Sequence, residues 1–213
     1  MTGLSPASEC IAIAADLLDF SDTPSRHPAT ITLHAATEVD GVRWRPGHWL
    51  LIDAGRIVGV QTDEPPAAFR RIDHRGRLLT PGLVDAHVHM PQLGVIASHG
   101  TQLLDWLARY TFPAEQAFAD ADVAARGAAH FLDALLAHGT TAAMVYPTVH
   151  RVSVEALFEA ARQRNMHITA GKCLMDRNAP DGLRDDVVGA EHDCRALIEA
   201  WHQRGRARYA MTV

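Results

Sequence analysis

Residues 81–92 read Pro81-Gly82-Leu83-Val84-Asp85-Ala86-His87-Val88-His89-Met90-Pro91-Gln92, and the fold of most of the chain turns on them. A Pro-Gly turn opens onto an apolar run ending in two histidines one residue apart, and Pro91 then closes the run. The two-residue period of a strand puts His87 and His89 on one face. Two imidazoles from one strand can share a divalent ion at ~2.0–2.1 Å each, leaving positions for further ligands and a water. The bare spacing is weak, because thirteen histidines in 213 residues produce roughly one such pair by accident. The context is more specific: a turn, an apolar strand, and an acidic Asp85 two positions before the pair. Asp85 shares the expected inward face, as a partner behind the ligands or as a cap on a local hydrogen-bond network. The competing reading is a pair of satisfied core histidines.

Downstream, apolar and amphipathic segments alternate. Helices are expected over 102–109, 120–138, 153–165 and 187–204. TTAAMVYPT (140–148), HITAGKCLM (167–175) and RARYAMTV (206–213) read as strands between them. Strands separated by helices imply βαβ units and a parallel sheet. Four such units make half of a (β/α)8 barrel, whose active sites lie at the carboxyl ends of the strands. The expected fold is therefore α/β: the N-terminal half of a (β/α)8 TIM-type barrel, strands 1–4, over 81–213. Half a barrel exposes a sheet edge, so a longer parent protein is expected, with this piece inactive by itself.

Upstream the texture differs. ITLHAATE (31–38), HWLLIDAG (48–55) and RIVGVQT (56–62) are short β-rich runs separated by turn-forming residues. Ala54-Gly55 reads as a hairpin turn, with Gly55 free to take positive φ. Residues 29–80 are thus expected to form a small, incomplete β-sandwich-like domain. Residues 1–28 show no sustained period and are expected to be a loosely docked extension.

Composition excludes several classes. A net charge of −5 without a basic stripe argues against nucleic acid as a partner. No apolar run approaches the ~20 residues that span a bilayer, and the 10–18 stretch, interrupted by Asp16, is no leader peptide. Cys10, Cys173 and Cys194 are odd in number and far apart, which fits a reducing cytoplasm better than a disulfide framework.

PGLVDAHVHMPQ, preceded by LLIDAGRIVGV and LLT, resembles the amidohydrolase superfamily. PQLGVIASHGTQLLDWLARYTFPAE (91–115) is similar, more narrowly, to the guanine deaminase family, and HGTTAAMVYPTVH (138–150) and GKCLMDRNAP (171–180) extend the match. The resemblance runs from about Leu50 to Val213. It implies that His87 and His89 ligate one Zn²⁺ (or Fe²⁺) per subunit, that Gln92 contacts the purine, and that the backbone near Met90 and Pro91 lines the same pocket. It also implies hydrolytic deamination of guanine to xanthine and ammonia by a metal-activated water. The partner is then a small purine, without nucleic acid or membrane, and a homodimer is an admissible assembly. Further ligands and a catalytic Glu and Asp are expected beyond Val213, so no catalytic residue is assigned within the chain. The alternatives are a sister amidohydrolase acting on another amino- or chloro-substituted heterocycle, and an inactive fragment with a binding or structural role. The other deaminase architecture, with H-x-E and P-C-x-x-C, is absent.

Other residues carry weaker signals. Trp106, Tyr110 and Phe112 could wall a purine pocket, although ordinary packing explains their spacing equally. Asp105 and Glu115 read as surface or capping groups, and His130 and His138 as exposed or packed helix residues. His150 faces the correct rim of the sheet, and Lys172 reads as an ordinary strand lysine.

Overall fold

A computed structural model describes residues 9–20, 38–39, 42–100 and 102–212. The chain divides into two compact units between Pro81 and Gly82. In the first, β1 (Ile11–Asp19), β2 (Glu38–Val39), β3 (Val42–Asp53), β4 (Arg56–Gln61) and β5 (Arg70–Leu79) form one sheet. The order is β2-β3-β1-β5, with β4 also on β3; β1 runs antiparallel to β3 and parallel to β5. Among the described residues this is a single sheet, where a sandwich-like pair was expected. Most of the ITLHAATE run lies outside the described residues.

The expectation of a loosely docked stretch over 1–28 fails at β1. That strand is paired on both edges, and Ala12, Ala14, Ala15 and Leu17 are buried, with Ala12 and Ala14 packing with Trp49 and Leu51. The physical reason is a register shift near Ala15, seen against both β3 and β5, which breaks the two-residue alternation that marks a strand. The acidic residues that made the segment look peripheral are occupied. Asp16 accepts from the Gly47 backbone N–H at 2.9 Å, and Asp19 pairs with Arg45 at 2.7 Å.

Ala54 and Gly55 take φ of 48° and 73°, the paired positive values of a tight hairpin turn between β3 and β4. Glycine occupies this region freely, whereas an alanine there is strained.

The second unit has four parallel strands in sequence order: β6 (Leu83–His89), β7 (Thr140–Tyr146), β8 (His167–Ala170) and β9 (Ala207–Tyr209). Two short helices, α1 (Leu103–Trp106) and α2 (Phe112–Gln116), come after β6. Three long ones, α3 (Ala121–Ala137), α4 (Arg151–Arg164) and α5 (Val187–Trp201), connect the successive strands. Asp120 caps α3 by accepting from the Asp122 and Val123 N–H groups, and Asp186 caps α5 by accepting from Gly189. β7 buries Ala143 and Val145, which join Leu132, Leu157 and Phe158 in the core, and leaves Met144 exposed on its other face. The strands expected at 167–175 and 206–213 pair only over their first halves. No helix among the described residues is long and apolar enough to cross a membrane.

Gly171, just past β8, is fixed by a close approach: a Cβ there would lie 1.7 Å from the Ala210 carbonyl oxygen. Gly171→Ala is therefore expected to lower stability by roughly 3 kcal/mol. Ala54→Gly is expected to raise it by about 1 kcal/mol, because the left-handed strain exceeds the added unfolded-state entropy. Urea midpoints check both; a neutral Gly171→Ala, or an Ala54→Gly no more stable than the parent, contradicts this account.

Candidate metal centre

The site grows from the register of β6 on β7. Val88 pairs with Val145 and His89 with Tyr146, so His89 and Tyr146 emerge on one face, opposite buried Val145. The ladder is interrupted between Asp85 and Val88, yet both imidazoles come together. Their Nε2 atoms face each other at 3.1 Å. The Tyr146 ring lies 4.8 Å from each, stacked on His89 and tilted to His87, and it is a site residue that the sequence did not reveal.

This spacing fits a shared divalent ion. With two nitrogens at ~2.0–2.1 Å from a metal, a 3.1 Å separation subtends about 98° at the ion. A hydrogen bond between two neutral rings gives a similar distance, so added metal discriminates the two. Burial, followed by the neighbouring His87, lowers the pKa of His89 and keeps its ring neutral, as a ligand must be. Asp85 does not reach the rings. Its carboxylate accepts the His87 backbone N–H at 3.0 Å, the capping role rather than a partner behind the ligands. Among the described residues, no group of three or more His, Cys, Asp or Glu side chains is placed to hold a metal.

β6 runs directly into a 3-10 turn, Met90–Val95, with Pro91 in its first turn. Met90 is fully buried in the core and anchors the turn, and Pro91 is buried beside it. Both line a cavity of about 460 Å³ with Phe118, Val123 and Gly127, so their side chains meet the helical layer. Gln92 is half-buried, on a turn that packs against the helix carrying Glu115.

Glu115 corrects the expectation of a surface or capping group, because it is only 9% exposed. Burial pushes its carboxyl up to about 7, against the opposing effect of the Gln92 amide. The local cause is a π turn, Leu107–Thr111, between α1 and α2. Pro113 has no N–H to give an uninterrupted helix, and the wider turn accommodates that loss. One extra residue in the turn rotates the next helical segment by about 100° relative to a regular helix, which brings Glu115 inward.

A second polar cluster lies at the ends of β7 and β8. Lys172, 2% exposed, forms an ion pair with Asp185, whose other oxygen accepts from the Met175 N–H at 3.3 Å. Lys172, an ordinary lysine as expected, is thus also a buried tether for the 171–186 loop. His150 sits nearby with its pKa lowered by burial and then by Lys172, and its Nε2 has no hydrogen-bond partner among the described residues. Cys173 donates its backbone N–H to the Thr148 carbonyl at 3.1 Å. Burial, then Glu115, pushes its thiol up to about 12.

The remaining candidates are packing or surface groups. The Trp106 indole donates to Ser98 at 2.8 Å, Tyr110 lies under the Arg109 guanidinium, and Phe112 is half-buried. Asp105, His130 and His138 are exposed or only partly covered.

The amidohydrolase family model matches residues 78–212. Guanine deaminase of Escherichia coli K12 is 48% identical over 147 residues, 69% of this chain and 34% of that protein. A probable guanine deaminase of Deinococcus radiodurans is 40% identical over 66% of this chain and 32% of its own length. The crystal structure of guanine deaminase from Bradyrhizobium japonicum superposes with a TM-score of 0.84 at 33% identity, covering 96% of this chain and 43% of that one. The chain thus spans about a third of the length of the curated relatives it matches.

Glu115 makes stability pH-dependent. Its folded pKa of about 7 stands above the ordinary 4.5, so the folded state holds this proton more tightly than the unfolded chain. The contribution is full below the ordinary value and is lost as pH rises through the folded one. The Tm difference between parent and Glu115→Gln should therefore shift against the parent between about pH 5 and pH 7.5. A difference constant across that range refutes the buried-carboxyl account.

Proposed function

The chain belongs to the amidohydrolase family, and on that premise we propose that its protein hydrolyses guanine to xanthine and ammonia. The observation that carries the reading is the opposed imidazole pair, Nε2 to Nε2 3.1 Å apart at the carboxyl end of β6. Guanine deaminases at 48% and 33% identity support the substrate. We read β6–β9 as the first four strands of a (β/α)8 barrel spanning 81–213.

His87 and His89 hold a divalent ion in this proposal, with zinc the expected metal and Fe²⁺ the alternative. When bound, such an ion supplies a water whose pKa is lowered toward ~7 and which is therefore nucleophilic at neutral pH. The lowered pKa of His89 leaves its nitrogen free of a competing proton. Tyr146 restricts the tilt of both rings. Gln92 follows the second histidine by three residues, on a turn held by buried Met90, and its amide offers donors and an acceptor to the polar edge of a purine. The backbone at Met90 and Pro91 contributes the adjoining wall. Net hydrolysis replaces the exocyclic amine of the base with oxygen and releases ammonia. No proton-transfer step is assigned to a residue of this chain.

Ammonia release from guanine, adenine, cytosine and aminotriazines by the intact protein tests the substrate. Guanine is expected to have the highest kcat/KM; a preferred triazine would replace guanine deamination with the sister-enzyme reading. His87→Ala and His89→Ala are each expected to lower bound metal in elemental analysis, and undiminished metal in both excludes the pair as ligands. Gln92→Ala should keep the metal and weaken kcat/KM for guanine by ~1–3 kcal/mol, the cost of an unsatisfied buried polar group.

A further inference from the structure

We infer that the buried Lys172–Asp185 ion pair is a positioning couple for substrate recognition. It holds the 174–185 loop against α2, and α2 backs the turn that presents Gln92 to the base. The inference rests on the reading of Gln92 as the purine contact and adds to it a determinant remote from that amide.

Lys172 stands two residues past the end of β8, and its backbone and side chain tie three segments together. Its backbone N–H is donated to the Tyr209 hydroxyl at 3.3 Å, and its carbonyl accepts from the Thr212 hydroxyl at 2.6 Å. The start of the loop is thereby fixed to β9 and the residues after it. The ammonium pairs with Asp185 and donates to the Cys173 carbonyl at 3.5 Å. Asp185 in turn donates its backbone N–H to the Met175 carbonyl at 2.7 Å, while its carboxylate accepts the Met175 N–H at 3.3 Å. Both ends of the loop are thus clamped at one buried charge pair.

Between its clamped ends the loop reaches the helical layer. Leu183 is fully buried, and a Cβ on Gly182 would lie 3.0 Å from Nε2 of Gln116, at the end of α2. α2 packs against the Met90–Val95 turn, where its Ala114 lines the same cavity as Met90, Pro91 and Leu93. Gln92 sits between the last two. A close-packed sequence of elements passes a displacement on rather than absorbing it. Removing one charge leaves the other buried and unpaired, a cost that the loop relieves by opening to water. The imidazole pair is held separately, by the pairing of β6 with β7, so metal binding should survive.

Steady-state kinetics of the intact protein with guanine, with elemental analysis of each variant, test the inference. Lys172→Met and Asp185→Asn are each expected to raise KM about tenfold, with kcat within about twofold, the scale of coupling through packed networks. Bound metal should stay at the parental level, and trypsin should cut faster after exposed Arg177 at the loop tip. The Lys172→Met/Asp185→Asn double variant, which leaves no unpaired charge, should show a KM well below the product of the two single effects. Lys172→Met added to Gln92→Ala should leave KM at the Gln92→Ala value, because the pair acts only through that turn. Asp185→Asn still accepts from Met175 and carries the test if Lys172→Met does not fold. An unchanged KM in the single variants, a loss of metal or kcat as large as the rise in KM, or effects that multiply with Gln92→Ala overturns the inference alone. An unchanged KM in Gln92→Ala overturns the purine contact and the inference with it.

Discussion

The parallel pairing of β6 with β7 is the constraint on which the rest depends. Val88 opposite Val145 and His89 opposite Tyr146 commit one face of these strands to the helical layer and the other to the histidine pair. A slip of one residue would send both imidazoles into a core built around Val145, Leu157 and Phe158. The buried alanine and valine of β7 therefore hold the registry of the histidine pair without touching it. Met90 extends the same constraint into the turn beyond the strand, because its burial fixes where Gln92 begins.

Around this frame, buried polar groups carry the local organisation. Lys172 and Asp185 bridge the ends of a long loop; the deeply buried ammonium donates to that carboxylate and to the Cys173 carbonyl, and the carboxylate is also bound by the Met175 backbone. Glu115 is a different case. Its partner is a neutral amide, so burial wins over hydrogen bonding and the carboxyl keeps its proton toward neutrality.

The elements legible in the chain itself are those set by neighbours in sequence. The histidine pair follows from strand alternation, and α3 and α5 from the amphipathic segments at 120–138 and 187–204. The hairpin at Ala54-Gly55 follows from its turn residues and is met by the paired positive φ values. The resemblance at 81–115 brought in Gln92 and the substrate class, which no periodicity supplies. Two readings failed on non-local grounds: β1 hid behind its bulge and two aspartates, and Glu115 behind a π turn. The partner that buries Lys172 lies 13 residues away and was not legible either.

What the sequence by itself determined is therefore the strand-helix alternation of the second unit and the common face of His87 and His89, because both arise from backbone periods of two and 3.6 residues. What only the tertiary structure decided is the environment of each polar side chain: Asp85 turned to its own backbone, Tyr146 against the imidazoles, Glu115 under Gln92, Lys172 sealed with Asp185. Periodicity assigns a side chain to a face. Burial and pairing depend on which distant segment covers that face, and that is settled when the strands and helices pack.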